Sequence, residues 1–396
     1  MKQAITPESF PWFDYEGFTF SLGLDLGDRA LLSGHTGAAY NPDVGKMAID
    51  GPMTDQATTA YEKVTAILEG AGMSWDDVVC VTEYVTVAGL PSYAEAEAVR
   101  ATFCGSTTPA VQTIVLESLV RRNAFLEIEV TASKHGQAFG IGSNGRAAYA
   151  EATQADGVVH LSTIHPYDEQ GNLVGAGDIE AQTRQIFRNA DRVLGDLGLT
   201  MANVTKTVEM ISLSAVGSYK STGRVRKEFL GPVYPGAAGI VQRQVATDPE
   251  VLISYDFTAS QYLPKAINPG WDRYENLAYS PAVIAGNVVF MSGQAALDPE
   301  TERAVHAGDV VEQTRYTYKN ILTVLEAADL GPEALVKTVE YVTPEGLAGY
   351  RNTAEVRREL LAEPWPASTG AYCHSLLRPE FEIEIDPTAM LIEEES

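Results

Sequence analysis

Apolar and polar positions alternate along three similar stretches: VCVTEYVT at 79–86, TKTVEMIS at 205–212 and VKTVEYVT at 336–343. Their Val, Thr, Ile and Tyr content predicts strands. Each carries a central glutamate, Glu83, Glu209 or Glu340. In the first, Val79, Val81, Glu83 and Val85 fall on one side and Cys80, Thr82, Tyr84 and Thr86 on the other, so the carboxylate sits on the apolar side. Ahead of each strand, apolar residues recur every three or four positions in AYEKVTAILEGAG, TRQIFRNADRVLGDLG and TRYTYKNILTVLEAADLG. These read as helices closed by glycine. Second helices follow the strands, in SYAEAEAVRATF, SYKSTGRVRKEF and GYRNTAEVRREL.

Two more extended segments frame each set. LLSGHTG at 31–37, VVHLSTIHP at 158–166 and VVFMSGQAAL at 288–297 precede the first helix; LEIEVTAS at 126–133, LISYDFTAS at 252–260 and FEIEID at 381–386 end the set. The unit is β-β-α-β-α-β, with room for one more strand. Ser33, Ser162 and Ser292 are separated by 129 and 130 residues. That period is too long for a solenoid repeat and suits a complete small domain. The expected domains are 1–135, 146–262 and 272–396, with Gly- and Pro-rich linkers near 135–145 and 264–272.

A carboxylate on an apolar face requires a partner. Arg100, Arg226 and Arg357 each lie 17 residues after the strand glutamate. Tyr93, Tyr219 and Tyr350 precede them by seven residues, and Phe103, Phe229 and Leu360 follow by three, all on one helical face. The spacing predicts three structural Glu–Arg bridges. The competing reading makes these arginines anion clamps reaching into a cleft.

In this order of strands and helices, with SGQ followed by DPETE in the third copy, the chain resembles the RidA/YjgF family of enamine/imine deaminases. The resemblance covers nearly the whole chain, three times over. It implies an α+β fold of three tandem RidA-like, chorismate-mutase-like domains. They would form an intramolecular pseudo-trimer with a central β-barrel and helices outside. It also implies an active site in the clefts between domains. Tyr279 and Tyr149 match the family's substrate-orienting Tyr, whereas the first copy has Phe20. Glu382 and Glu127 match its water-handling Glu, whereas the second copy has Ser254. Ser292, Gly293, Ser33, Gly34, His35, Ser368 and Thr369 fall where substrate contacts are implied. The largest departure is at the Pro-Ala-Arg motif, whose Arg holds the substrate carboxylate: Val111, Ala237 and Ser368 stand there instead. The family's helix Asn is replaced by Glu97, Gly223 and Ala354. Adjacent Cys373 and His374 lie on one predicted strand and so point to opposite faces, which argues against a nucleophile pair.

The implied activity is hydrolysis, deamination or isomerisation of a reactive imine, enamine or related small metabolite, with an altered substrate because no copy keeps the Arg. The alternative is a non-catalytic small-molecule-binding or scaffold pseudo-trimer. Composition narrows the partners. A net charge of −25 over 396 residues repels phosphate backbones, so nucleic acid is not expected, and an RNase role fits poorly. Three scattered cysteines provide neither a disulfide framework nor a zinc motif, and no cofactor or metal is expected. The N-terminus lacks a signal-peptide pattern and no apolar run of about 18 residues occurs. A cytoplasmic, membrane-free monomer with a small-molecule substrate is expected, with further association left open.

Overall fold

The structure, a computed structural model, describes residues 2–143 and 148–392. Six helices carry the repeat, two per copy: α1 (Met53–Gly70), α2 (Tyr93–Cys104), α3 (Ile179–Asp196), α4 (Thr222–Phe229), α5 (Val310–Glu326) and α6 (Thr353–Leu360). The starts of α3 and α5 are fixed by Asp178 and Asp309, whose carboxylates accept from the backbone N–H groups of the first turn. Such a cap satisfies donors that no helical carbonyl can reach.

The glutamate-bearing strands are Val78–Thr86, Val204–Ser212 and Leu335–Val342. Each is central in its sheet. One neighbour is parallel: Ala110–Leu116, Gly236–Gln242 or Ala367–Tyr372. A parallel pair requires a crossover, and the second helix of each copy supplies it. The other neighbour is antiparallel: Leu126–Ser133, Ile253–Ser260 or Ile383–Met390. All nine residues of Val78–Thr86 are buried. Val81 and Val85 pack against α1 and α2. Cys80, Thr82 and Tyr84 line a central cavity of about 130 Å³ shared by all three repeats. A register shift between Thr131 and Ala132 leaves Val79 unpaired and turns it toward that cavity, not to the side expected from strict alternation.

The repeats join edge to edge in a ring. Ala110 of the first pairs with Ala150 of the second, Ile240 of the second with Leu376 of the third, and Ala371 of the third with Leu119 of the first. The described strands fall into sheets of 14, 8 and 2 strands. Each junction is pinned by one of the three periodic serines. Ser162 Oγ donates to Ala150 O at 2.7 Å and accepts from Val111 N–H at 2.7 Å. Ser292 does the same with Ser280 O and Ala237 N–H, and Ser33 with Ser21 O and Ser368 N–H.

The linker expected at 135–145 is different. Gln137–Ser143 forms a strand antiparallel to Ala148–Ala155, extending the junction between repeats; residues 144 and 145 lie outside the described residues. Its glycines suggested a linker, yet Gly140 at φ +58° supplies a kink within a paired strand. Among the described residues no helix is long and apolar enough to cross a membrane.

Candidate functional site

Each junction opens into a cleft built from two repeats. One repeat contributes its second helix and the strand after it; the next contributes its entry segment and, in the second–third and third–first clefts, the strand that ends its set. The first–second cleft contains Arg100 and Val111 against Tyr149 and His165. The second–third cleft contains Arg226 and Ala237 against Tyr279, Gly293 and Glu384. The third–first cleft contains Arg357 and Ser368 against Gly34, His35 and Glu127. Val111, Ala237 and Ser368 therefore face the clefts, and none brings a charge there.

The strand glutamates hold the arginines. Arg100 Nη1 lies 2.5 Å from Glu83 Oε2, Arg226 Nη1 2.9 Å from Glu209 Oε1, and Arg357 Nη2 2.5 Å from Glu340 Oε2. Tyrosines complete the shells. Tyr61 Oη donates to Glu83 Oε1 at 2.7 Å, Tyr219 Oη to Glu209 Oε2 at 2.5 Å, and Tyr318 and Tyr350 to Glu340 at 2.8 and 2.7 Å. Glu340 is fully buried; burial opposes its ionisation, but Arg357 and the two phenols outweigh burial and hold its pKa below the ordinary value. These arginines floor the clefts with their charge already matched, which leaves little field for a ligand.

The register of the sheets moves one expected residue. Glu127 pairs with Tyr84, next to Glu83, and the residue pairing with Tyr341, next to Glu340, is Glu384. Glu382 lies just outside the strand, where its backbone N–H donates to Gln313 and its side chain neighbours Asp309 and Glu345. It lines neither large cleft. The matching LEIE and FEIE runs obscured a two-residue slide. A better signal was available: Glu127 follows Glu83 by 44 residues, as Glu384 follows Glu340.

Glu127 and Glu384 share one environment. A Cβ at Gly34 would stand 2.3 Å from Glu127 Oε1, and one at Gly293 would stand 2.3 Å from Glu384 Oε1. Only glycine allows either carboxylate its position against the turn. Burial pushes both pKa values up to about 8, aided by Glu129 beside Glu127 and by Asp386 beside Glu384. In the second repeat Ser254 holds the equivalent register position, paired with Met210; it is fully buried, and its hydroxyl donates to Val245 O.

Tyr279 and Tyr149 stand in the second–third and first–second clefts. Burial raises the pKa of both phenols, which keeps them neutral donors. His35 is 3 % exposed, with Nε2 3.3 Å from Leu22 O; burial and then Lys63 push its pKa down to about 3, so it is neutral. Three expected substrate contacts are engaged elsewhere. The hydroxyls of Ser33 and Ser292 pin the junctions, and Thr369 Oγ1 donates to Glu129 at 2.5 Å. These short polar side chains satisfy buried partners before any ligand arrives. Cys373 is buried and its Sγ points to Val342 O, away from His374. Lys63, Arg121 and Arg351 line the third–first cleft and were not singled out by the sequence, since no spacing rule joins them.

The profile of the family described as Endoribonuclease L-PSP matches residues 18–134, 143–253 and 274–391. A RutC family protein of Pyrococcus horikoshii is 33% identical over 126 residues, 32% of this chain and 90% of that protein. The 3-aminoacrylate deaminase RutC of Acinetobacter baylyi is 39% identical over 83 residues, 21% of this chain and 64% of that protein. Among solved structures, a chorismatase aligns over 79% of this chain and 93% of its own, with a TM-score of 0.53 and 14% identity, a likeness of fold.

Proposed function

Because the chain belongs to the endoribonuclease L-PSP family, with three tandem copies of the domain, we propose that it is a self-contained pseudo-trimer that hydrolyses a reactive imine or enamine. Hydrolysis occurs at the Glu127 and Glu384 clefts. The observation that carries this is the pair of equivalent carboxylates, each seated against a glycine and each with its pKa raised to about 8. A 3-aminoacrylate deaminase among the relatives supports the reaction class.

The ionised carboxylate takes a proton from water as the water oxygen bonds to the imine carbon. The C=N π pair moves to nitrogen, which takes that proton back from the carboxyl. The carboxylate then relays the new hydroxyl's proton to nitrogen as the C–N bond breaks, leaving a carbonyl compound and the amine. An enamine enters the same path once it has tautomerised to the imine. Tyr279 Oη orients the substrate in the second–third cleft. Ser254 removes the base from the first–second cleft, so the three junctions have diverged.

Incubation with a freshly generated 2-imino acid, with ammonia and keto acid followed, tests the reading. At pH 7 about a tenth of a carboxyl with pKa 8 is ionised, so the rate climbs with pH, is half-maximal near about 8 and levels off above about 9. The Glu127→Gln/Glu384→Gln double variant should lose about 10²–10⁴ in rate and lose that rising limb. A wild-type rate equal to that of buffer removes the ordinary 2-imino acid deaminase reading. A second reading, a non-catalytic binding pseudo-trimer, is favoured by the loss of Arg at Val111, Ala237 and Ser368.

A further inference from the structure

We propose that the third–first cleft binds a planar, ring-bearing carboxylate; this rests on reading that cleft as a substrate site and names its substrate class. The cleft has a volume of about 510 Å³. Its charge contrasts with the rest of the protein. On a chain of net charge −25, Lys63, Arg121, Arg351 and Arg358, besides Arg357 already paired with Glu340, line one cleft whose acids are Glu127 and Asp14. Lys63 is spent on the carbonyls of Thr36 and Ala38, and Arg358 donates to Gly17 O. Arg121 and Arg351 remain. Among the described residues neither guanidinium has an ion-pair or hydrogen-bond partner.

The two come from different repeats and still feel one another. Burial and then the charge of Arg351 depress the pKa of Arg121, while Glu127 opposes them. Two like charges held together beside a carboxyl that burial keeps largely protonated call for an anion between them. Guanidinium groups suit a carboxylate, whose two oxygens match their paired donors.

The same cleft is lined by aromatic side chains. Phe13 stacks on Phe18 at 6.0 Å, and Phe18 on Phe20 at 5.1 Å, each pair at 29°. Phe18 is 38% exposed and Tyr40 54%, although both line the cleft. Exposed stacked rings offer a face to another ring. Phe20 occupies the place of the orienting Tyr in the other clefts, so a hydroxyl donor has been exchanged for ring surface. The second–third cleft differs: it has Tyr279 and a basic rim of Lys220, Arg224 and Lys227, with no phenylalanine. The two carboxylate-bearing clefts thus select different substrates.

Calorimetric titration of the full chain with cinnamate, cinnamamide and butanoate tests the assignment. Cinnamate should bind at least about tenfold tighter than its neutral amide and than the ringless acid. Arg121→Gln, Arg351→Gln and Phe18→Ala should each weaken cinnamate about tenfold or more, and added salt should weaken it in the wild type. Equal affinity for cinnamate and cinnamamide, or for cinnamate and butanoate, overturns the proposal. So does an unchanged affinity in the Arg351→Gln protein, whose exposed position makes misfolding no explanation. Absence of cinnamate binding at millimolar concentration overturns it too. Imine hydrolysis measured in parallel separates the two readings. Hydrolysis without cinnamate binding defeats this proposal alone, and cinnamate binding without hydrolysis defeats the catalytic reading alone.

Discussion

At the scale of single residues, the placement of Glu384 depends on a side chain that is not there. Gly293 leaves the space that Glu384 Oε1 occupies, 2.3 Å from where a Cβ would stand. Gly293→Ala should therefore swing the carboxylate out of the cleft and cost as much activity as Glu384→Gln, about 10²–10⁴ for that cleft. Glu382→Gln should leave the rate within about twofold, because its side chain neighbours Asp309 and Glu345 and lines neither large cleft. Ammonia release by the three variants, each in an otherwise identical Glu127→Gln background, checks this; a full loss with Glu382→Gln would reinstate that residue. The chemistry of the carboxylate was legible in the sequence, since a glutamate on a buried strand of this unit is a natural base. Its address was not. Two glutamates two residues apart present the same face, and only the register against Tyr341 decides between them.

At the scale of elements, each Glu–Arg pair ties the central strand to the second helix across the core. The 17-residue spacing made the pairing visible, because a strand, a turn and two helical turns bring such positions to one face. The rest of each shell was hidden. Tyr61 and Tyr318 reach Glu83 and Glu340 from the first helix, 22 residues earlier, and the second repeat has Phe187 at that position. Glu209 consequently depends on Tyr219 and Arg226 as donors. Removal of one partner strands a buried charge. Arg100→Leu and Glu83→Leu should each destabilise by roughly 3–5 kcal/mol, and the double change by less than their sum. The phenol of Tyr61, left without an acceptor, keeps the double variant below wild type. Urea unfolding of the four proteins measures the coupling; strictly additive losses would mean that the strand and helix charges act independently.

At the scale of the whole molecule, the three repeats are bound together by a second, inner set of charges, and that set is incomplete. One position, three residues before each strand glutamate, is Cys80, Lys206 and Lys337 in turn. Lys206 of the second repeat pairs with Asp386 of the third, and Lys337 of the third with Glu129 of the first. Around the same ring, Cys80 of the first meets Asp256 of the second, and a thiol whose pKa burial pushes up to about 12 cannot neutralise it. Asp256 keeps the hydroxyl of Thr163, and burial lifts its pKa from 3.8 to about 7 against that hydrogen bond. The triplication itself was plain from the 130-residue period, but this inner ring was not, because its partners lie in different repeats and no spacing relates them. A carboxyl with a raised pKa holds its proton more tightly folded than unfolded. Stability therefore falls as pH rises from about 4 through about 7, by on the order of 2–4 kcal/mol for Asp256. Asp256→Asn keeps the acceptor for Thr163 and removes the ionisation, so its unfolding midpoint should stay flatter across that window and exceed wild type at pH 7. Cys80→Lys should have the same effect by a different route, supplying the third bridge within the central cavity and returning Asp256 to its ionised form. Denaturant midpoints at pH 4.5, 6 and 7.5 distinguish the cases: parallel curves for wild type and both variants would show that Asp256 does not titrate in this range, and that the missing lysine costs the assembly nothing.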